Sequence, residues 1–302
     1  MISASNVTMR FEDFEALKNL SCNIPSGCIY GLVGSNGAGK STFLRLISGV
    51  YRHQSGEILI DGEPVYENPI VKNKIVYISD DLYFLPQSNM IKMADFYRAI
   101  YPHFSYERFL NLTNTFKLNP KANLNTFSKG MRRQAATILG LSTMPEYLFF
   151  DETFDGLDPV MRNLVKTVIY NDVIERNTTT IITSHSLREL EDTCDQLALL
   201  HKGGIVFESD IQNLKTSLFK VQVAFDHEYG REDFSGIEML SYTQSGSVAN
   251  FIVRGDREEV KAKLSTMNPM LIDILPLGLE EVFIYEMEAL GYAFKEVLMK
   301  GG

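Results

Sequence analysis

No apolar run in the 302 residues approaches the roughly 18 needed to cross a bilayer as a helix. The first residues, Met1-Ile2-Ser3-Ala4-Ser5-Asn6, carry neither a basic stretch nor an apolar core, so no secretory signal is expected. Cysteine is scarce. Cys22, Cys28 and Cys194 are odd in number and lack metal-site spacing, which fits free thiols in a reducing cytosol rather than a disulfide framework. Positive charge is also short: 29 Lys and Arg face 38 Asp and Glu, a net charge of −9. That balance argues against an extended nucleic-acid or anionic-lipid footprint, so a role at a membrane would need a partner to supply the membrane. Long-period repeats, heptads and low-complexity tracts are absent as well.

What the chain does have is Gly34-Ser35-Asn36-Gly37-Ala38-Gly39-Lys40-Ser41, a complete phosphate-binding loop, followed by Thr42. Glycines let the backbone fold around an anion, so that successive N–H groups point at the α- and β-phosphates. Lys40 is expected to reach the β- and γ-phosphates, the Ser41 hydroxyl to hold Mg²⁺, and the helix starting here to turn its positive end toward the triphosphate. The context is right: Ile29–Val33 reads as a buried strand and Thr42–Ile47 has helical apolar spacing. The chain is expected to bind a nucleoside triphosphate.

From about Val7 to Leu214, strand-like runs alternate with helical patterns, as in an α/β domain on a mainly parallel sheet. The strand candidates are Cys28–Val33, Ile75–Ile78, Tyr147–Phe150 and Thr179–Thr183. Ligands of such sheets gather at the carboxyl ends of the strands, where Gly34, Asp151 and His185 fall. Between Pro86 and Met144 helical spacing takes over in Lys92–Tyr101, Tyr106–Lys117 and Lys129–Thr143, predicting an inserted helical subdomain over about 86–144. Leu197–Leu200 and Ile205–Glu208 flank a glycine turn and read as a hairpin. Composition shifts after about Ser217. Phe219–Phe225, Met239–Tyr242 and Ala249–Val253 read as strands, Glu258–Leu264 and Leu279–Leu290 as helices. Phe219 to Gly302 holds 8 Lys and Arg against 14 Asp and Glu, so −6 of the −9 lies there. The expected division is an ATPase-like domain at 1–217 and a small α+β accessory domain at 218–302.

Tyr147–Phe150 ends in Asp151-Glu152. One carboxylate can order Mg²⁺ through its water shell while the next polarises an attacking water. Thirty-three residues beyond Glu152, His185 follows another strand and puts an imidazole near the same sheet edge. Two further segments carry a family resemblance. The run Asn125 to Gln134, with Phe127-Ser128-Lys129-Gly130-Met131 at its centre, resembles the signature loop of ATP-binding cassette (ABC) ATPases. Asp155-Gly156-Leu157-Asp158-Pro159 resembles their D-loop. Order and spacing match from Val7 to about Leu214.

The resemblance implies a phosphate-loop ABC cassette with a parallel core, an antiparallel β part and a helical subdomain. It implies ATP and Mg²⁺ as ligands, Glu152 as general base and His185 as γ-phosphate contact. Phe11, 23 residues before Gly34, would stack on adenine, with Phe14 as the competing choice. Ser128, Gly130 and their neighbours in the signature would bind the γ-phosphate held by a second cassette, and Asp158 would sit at the shared interface. One chain has one loop of each kind, so an active unit needs two chains, identical or not. Separate transmembrane permease subunits would convert the motion into transport. No nucleic acid and no direct membrane insertion are expected, and the location would be cytoplasmic, on the inner face of the membrane.

Some positions depart from the family pattern. A Gln is usual about forty residues after the loop Lys; here Asp80 occupies that place and Gln87 comes later. A carboxylate can still ligate Mg²⁺, so Asp80 joins Ser41 and Asp151 as an expected metal ligand, but it cannot donate a hydrogen bond when ionised. Lys129 and Met131 stand where Gly and Gln are common, and Thr153-Phe154 where Pro-Thr is usual. The Asp80-Asp81 replacement, the Phe127–Met131 signature and the Leu279–Glu286 tail together resemble bacterial exporter ATPases encoded beside GntR-type regulators. That branch includes the phenol-soluble-modulin exporters and their antimicrobial-peptide-resistance relatives. The reading is an ATP-hydrolysing exporter subunit. The competing readings are a soluble regulatory ABC ATPase with weak hydrolysis and a soluble ABC ATPase of DNA repair or translation. Tyr83, Phe84 and Leu85 are candidates for a permease-coupling surface.

Overall fold

The computed structural model describes residues 1–291 apart from 153, 155 and 290. The chain divides into two compact units, the first running from Met1 to Glu208 and the second beginning at Ser209. The second unit therefore takes in residues 209–217, which sequence reading places in the first.

The first unit begins with β1 (Ile2–Phe11) and β2 (Phe14–Ile24), then β3 (Ile29–Val33), α1 (Lys40–Ile47), β4 (Ser55–Ile60), β5 (Glu63–Pro64), α2 (Pro69–Lys72) and β6 (Ile75–Ile78). Three helices follow, α3 (Met90–Ile100), α4 (Tyr106–Thr115) and α5 (Lys129–Ser142). They occupy the stretch where the sequence predicts a helical insertion. Then come β7 (Tyr147–Asp151), α6 (Pro159–Arg176), β8 (Thr179–Ser184), α7 (Leu187–Glu191), β9 (Gln196–His201) and β10 (Gly204–Asp210).

Two sheets form. The six-stranded one has the order β10-β9-β3-β8-β7-β6, with β6, β7, β8, β3 and β9 parallel neighbours. Every residue of β3, β7 and β8 is buried, as expected of parallel strands covered on both faces. The other sheet is antiparallel, in the order β2-β1-β4-β5. The apolar side of α1, Phe43, Leu44, Leu46 and Ile47, packs in one core with residues of both sheets, among them Leu20, Ile58, Leu32 and Phe149. That packing fixes where the loop before α1 sits.

Local chemistry sets the boundaries. Ser128 caps α5 by accepting from the Met131 amide, and Asp158 caps α6 by accepting from Val160 and Met161, with Pro159 at the first helical position. Asn177 ends α6 in the left-handed region, at φ 56°. The β9–β10 turn uses Lys202 and Gly203, both at positive φ, as tight hairpins favour.

The second unit contains α8 (Ile211–Ser217), β11 (Leu218–Ala224), β12 (Met239–Ser245), β13 (Val248–Arg254), α9 (Arg257–Ser265), β14 (Leu271–Pro276) and α10 (Leu279–Ala289). Its antiparallel sheet has the order β12-β13-β11-β14. The strand β14 is absent from the sequence reading. Its two faces carry Leu271, Leu275 and Ile272, Ile274 respectively, so the run is apolar on both sides and the alternation that marks a half-buried strand is weak. Leu290, the expected end of the last helix, and Tyr292 onward lie outside the described residues.

Candidate active site

The strand β3 delivers the chain into the loop 34–39, and α1 leads it out. Two glycines are obligatory there. Gly39 has φ +111°, and a Cβ on it would lie 2.6 Å from the Ala16 carbonyl oxygen; one on Gly34 would lie 2.4 Å from that of Leu200. The loop closes against β2 and β9 only because both lack side chains. Lys40 is buried despite its charge. Its Nζ donates to the carbonyls of Gly34 (2.7 Å) and Ser35 (3.2 Å) and lies 3.6 Å from Glu152 Oε1. Burial pushes the ammonium pKa below its ordinary value, opposed by the Glu152 and Asp151 charges. A cation so placed is ready to exchange carbonyls for phosphate oxygens.

Asp151 ends β7 in a fully buried position. Its Oδ1 accepts from Ser41 Oγ (3.0 Å) and Thr183 Oγ1 (2.8 Å), and its Oδ2 from the Tyr77 hydroxyl (3.0 Å). Burial and the adjacent Asp151 raise the Tyr77 pKa, so the phenol keeps its proton and remains a donor. Three neutral donors hold the carboxylate in place without neutralising its charge, and that leaves it suited to a hard cation. Ser41 and Asp151 offer oxygen atoms of the kind Mg²⁺ takes and are the residues that would hold it. Among the described residues no group of three or more His, Cys, Asp or Glu gathers as a metal centre.

Glu152 sits at φ +49°, a left-handed conformation unusual for a residue with a side chain. Its peptide is held from both sides. The N–H donates to Thr183 Oγ1 at 3.0 Å, and the carbonyl accepts from Arg133 Nη1. The half-exposed His185 places Nδ1 3.9 Å from Glu152 Oε2. Lys40, Ser41, Thr42 and Glu152 line one cleft together with Asn36, Gly37, Gly39, Ala16 and Phe14. The sheet edge thus brings together Lys40, Ser41, Asp151, Glu152 and His185, five of the residues that the sequence assigns to triphosphate, metal and base.

Other expected residues lie elsewhere. Phe14, not Phe11, lines the cleft; Phe11 packs edge-on against Tyr51 with ring centroids 5.5 Å apart. The two face each other across the β1–β2 hairpin, but Phe14 is two residues from Ala16, whose carbonyl lies against Gly39. Asp80 is not directed to Ser41 and Asp151. It pairs with the buried Arg133 and lines a separate cavity with Asp81, Leu82, Phe127, Lys129 and Arg132. The signature residues Phe127 and Lys129 belong to that second cavity, and Ser128 and Met131 meet through the helix cap. Gly130 is pressed against the Gly156 carbonyl, where a Cβ would come within 2.8 Å, so the signature and the D-loop touch. Asp155 and Thr153 lie outside the described residues.

Sequence reasoning missed Tyr77, Thr183 and Arg133. Thr183 is one of four hydroxyl residues in β8, and only the register of β7 with β8, which sets it opposite Asp151, singles it out. Tyr77 and Arg133 had no local signal, because their partners lie 74 and 19 or 53 residues away.

A family model described as ABC transporter matches residues 17–155. The ABC transporter ATP-binding protein YtrB of Bacillus subtilis (strain 168) is 32% identical over 287 residues, covering 94% of this chain and 97% of YtrB. The chain belongs to the ABC transporter ATP-binding proteins. It is the ATP-binding subunit of such a transporter, and the relationship to YtrB runs through both of its compact units. The daunorubicin/doxorubicin resistance ATP-binding protein DrrA of Streptomyces peucetius is 30% identical, over 72% of this chain and 67% of DrrA. The bacitracin transport ATP-binding protein BcrA of Bacillus licheniformis is 28% identical over 71% of each chain. Among solved structures, one described as the ATP binding subunit of an ABC transporter shares the cassette fold, with TM-score 0.66 and 20% identity over 71% of this chain and 92% of that one. A dimeric bacterial ABC transporter cassette aligns at TM-score 0.62 with 21% identity, over 70% of this chain and 99% of that one. Among the described residues no helix is long and apolar enough to cross a membrane.

Proposed function

We propose that this ABC cassette hydrolyses ATP with Glu152 as general base and drives an exporter whose membrane subunits are separate chains. The observation that carries the reading is the placement of Lys40 and His185 on either side of the Glu152 carboxylate, with the Ser41–Asp151 pair beside Lys40. Glu152 takes a proton from the attacking water as oxygen bonds to the γ-phosphorus. The bond from that phosphorus to the β–γ bridging oxygen breaks, and ADP leaves with the electron pair. Lys40 spreads its charge over the β- and γ-phosphates, and His185 contacts the γ-phosphate beside Glu152. Bound Mg²⁺, held through Ser41 and Asp151, would supply electrostatic stabilisation of the phosphate oxygens.

Two chains acting head-to-tail are favoured by where the signature lies. Phe127 and Lys129 line a cavity other than the one around Lys40, so the loop of one chain is completed by the signature of another. Export is favoured by DrrA and BcrA, whose names mark resistance and antibiotic transport. Peptides or antimicrobials are the proposed cargo, chosen by the membrane subunits, with the cassette on the cytoplasmic face. Exposed Tyr83 and Leu85 are the proposed contacts to those subunits. The test is Glu152→Gln in the full-length chain. Hydrolysis is expected to vanish while an ATP-bound dimer accumulates in size-exclusion chromatography. Hydrolysis at the wild-type rate would remove Glu152 as the base.

A further inference from the structure

Two successive arginines near the start of α5 grip the segment that follows β6. Arg132 donates to the Leu82 carbonyl at 3.3 Å and places its guanidinium 5.5 Å from the centre of the Phe84 ring. Arg133 spreads its fork between two elements: Nη1 donates to the Glu152 carbonyl, and Nη2 donates to the Asp80 carbonyl (3.3 Å) and to the Asp80 carboxylate. We propose that Arg133 is a positioning residue for Glu152, and that Asp80 is the counterion that keeps Arg133 aimed at the Glu152 carbonyl. The proposal rests on the reading of Glu152 as base.

The asymmetry of burial supports it. The Arg133 side chain is 2% exposed and that of Asp80 53%. A guanidinium at that depth is strongly disfavoured once an ionised partner is removed, whereas the half-exposed carboxylate has water available. Asp80 therefore serves Arg133 more than the reverse. Two further features point the same way. Glu152 lies at φ +49°, so its peptide stays in place through bonds at both faces, Thr183 on the N–H and Arg133 on the carbonyl. In addition, the guanidinium is planar, so a shift of residues 80–84 that tilts one nitrogen tilts the other. Asp80 in place of Gln then acquires a purpose: an amide would leave the buried cation without the counter-charge. The segment carrying exposed Tyr83 and Leu85 is mechanically tied to the carbonyl of the proposed base.

The test is ATP hydrolysis by the full-length chain, resolved into kcat and KM, with amide exchange as a second measurement. Arg133→Gln is expected to lower kcat by about 10²-fold, the cost of a displaced reacting group, and to leave KM within about threefold. Asp80→Asn is expected to lower kcat by about tenfold, and Asp80→Glu to keep it within about twofold of wild type. The double variant Asp80→Asn/Arg133→Gln should be no worse than Arg133→Gln alone, because the two residues act as a unit. Exchange over residues 148–152 should quicken in Asp80→Asn. Additive losses, a change confined to KM, or exchange and kcat both untouched in Asp80→Asn would overturn the proposal. Should Arg133→Gln fail to fold, the Asp80→Asn and Asp80→Glu pair decides it. If Glu152→Gln is inactive while Asp80→Asn behaves as wild type, this inference fails and the proposed function stands. If Glu152→Gln hydrolyses normally, both fail.

Discussion

The two units solve the problem of stability differently. The first buries charge: Lys40, Arg133, Asp151 and Asp172 are all inaccessible, along with a run of hydroxyls in β8. In the second, every buried side chain among the described residues is apolar. Its core is Phe219, Val221, Val223, Phe225, Phe234, Phe251 and their neighbours, with aromatic centroids 5.0 Å apart for Phe234–Phe251 and 4.7 Å for Phe225–Tyr229. Its ion pair Arg254–Glu286, at 2.9 Å, keeps a partly exposed guanidinium. Burying an ion is costly even when it is paired, and an apolar replacement is often no less stable. A unit that keeps such groups is using them to hold reacting atoms or to fix one packing arrangement. The aromatic core of the second unit needs no such arrangement, which agrees with the absence of any chemistry-bearing motif in its sequence.

The largest effect expected from breaking this comparison is at Asp172. It joins α6 to α4 through Arg108 at 2.5 Å and pairs with Arg176 at 3.4 Å, at 1% exposure. Asp172→Ala strands two guanidinium groups, and chemical denaturation should show a loss of about 3–5 kcal/mol. A loss below about 1 kcal/mol would mean that this cluster is solvated and that the first unit is less distinct from the second than its buried charges suggest. The counterpart is Phe251→Ala. It should cost the second unit about 3–5 kcal/mol through a cavity in the aromatic cluster. ATP hydrolysis by the first unit should remain near wild type at temperatures where both units are folded. Hydrolysis falling with the aromatic core would show that the two units are energetically coupled.

These same contrasts decide what the sequence could reveal. Buried parallel strands are short runs of apolar and β-branched residues, so Ile75–Ile78 is found at its observed ends, and β3, β7 and β8 within a residue of theirs. The phosphate loop is legible because its glycines answer a local demand, as Gly39 does against Ala16. Asp80 is misread for the opposite reason. Its position after β6 suggests a metal ligand, but its partner Arg133 is 53 residues away, on a helix whose inward face no local pattern reveals. Phe11 and Phe14 are equivalent in one dimension, and only the path of β2 beside Gly39 separates them. Local constraints are written in the sequence; pairings between distant elements are written in the packing.

The smallest predicted effect is a pH dependence. All three thiols lie buried in the first unit. Burial, with the Glu208 charge adding to it, pushes the Cys22 pKa from 9.0 to about 12. In the unfolded chain this thiol ionises as pH rises through 9, while in the folded unit it keeps its proton. The folded state then binds more protons, so stability falls as pH increases between the two values. From pH 9 to 10 the contribution of Cys22 is about 1 kcal/mol. Lys40, whose pKa burial lowers, works in the opposite sense. The measurement is therefore a difference: denaturation of wild type and Cys22→Ala at pH 8, 9 and 10. The wild type should lose more stability than the variant over that range, by about 1 kcal/mol. The second unit contains no cysteine among its described residues, so within it the change should make no difference. Parallel behaviour of the two proteins would mean that Cys22 is open to water, and that the apolar packing of β2 against β1 is looser than its burial implies.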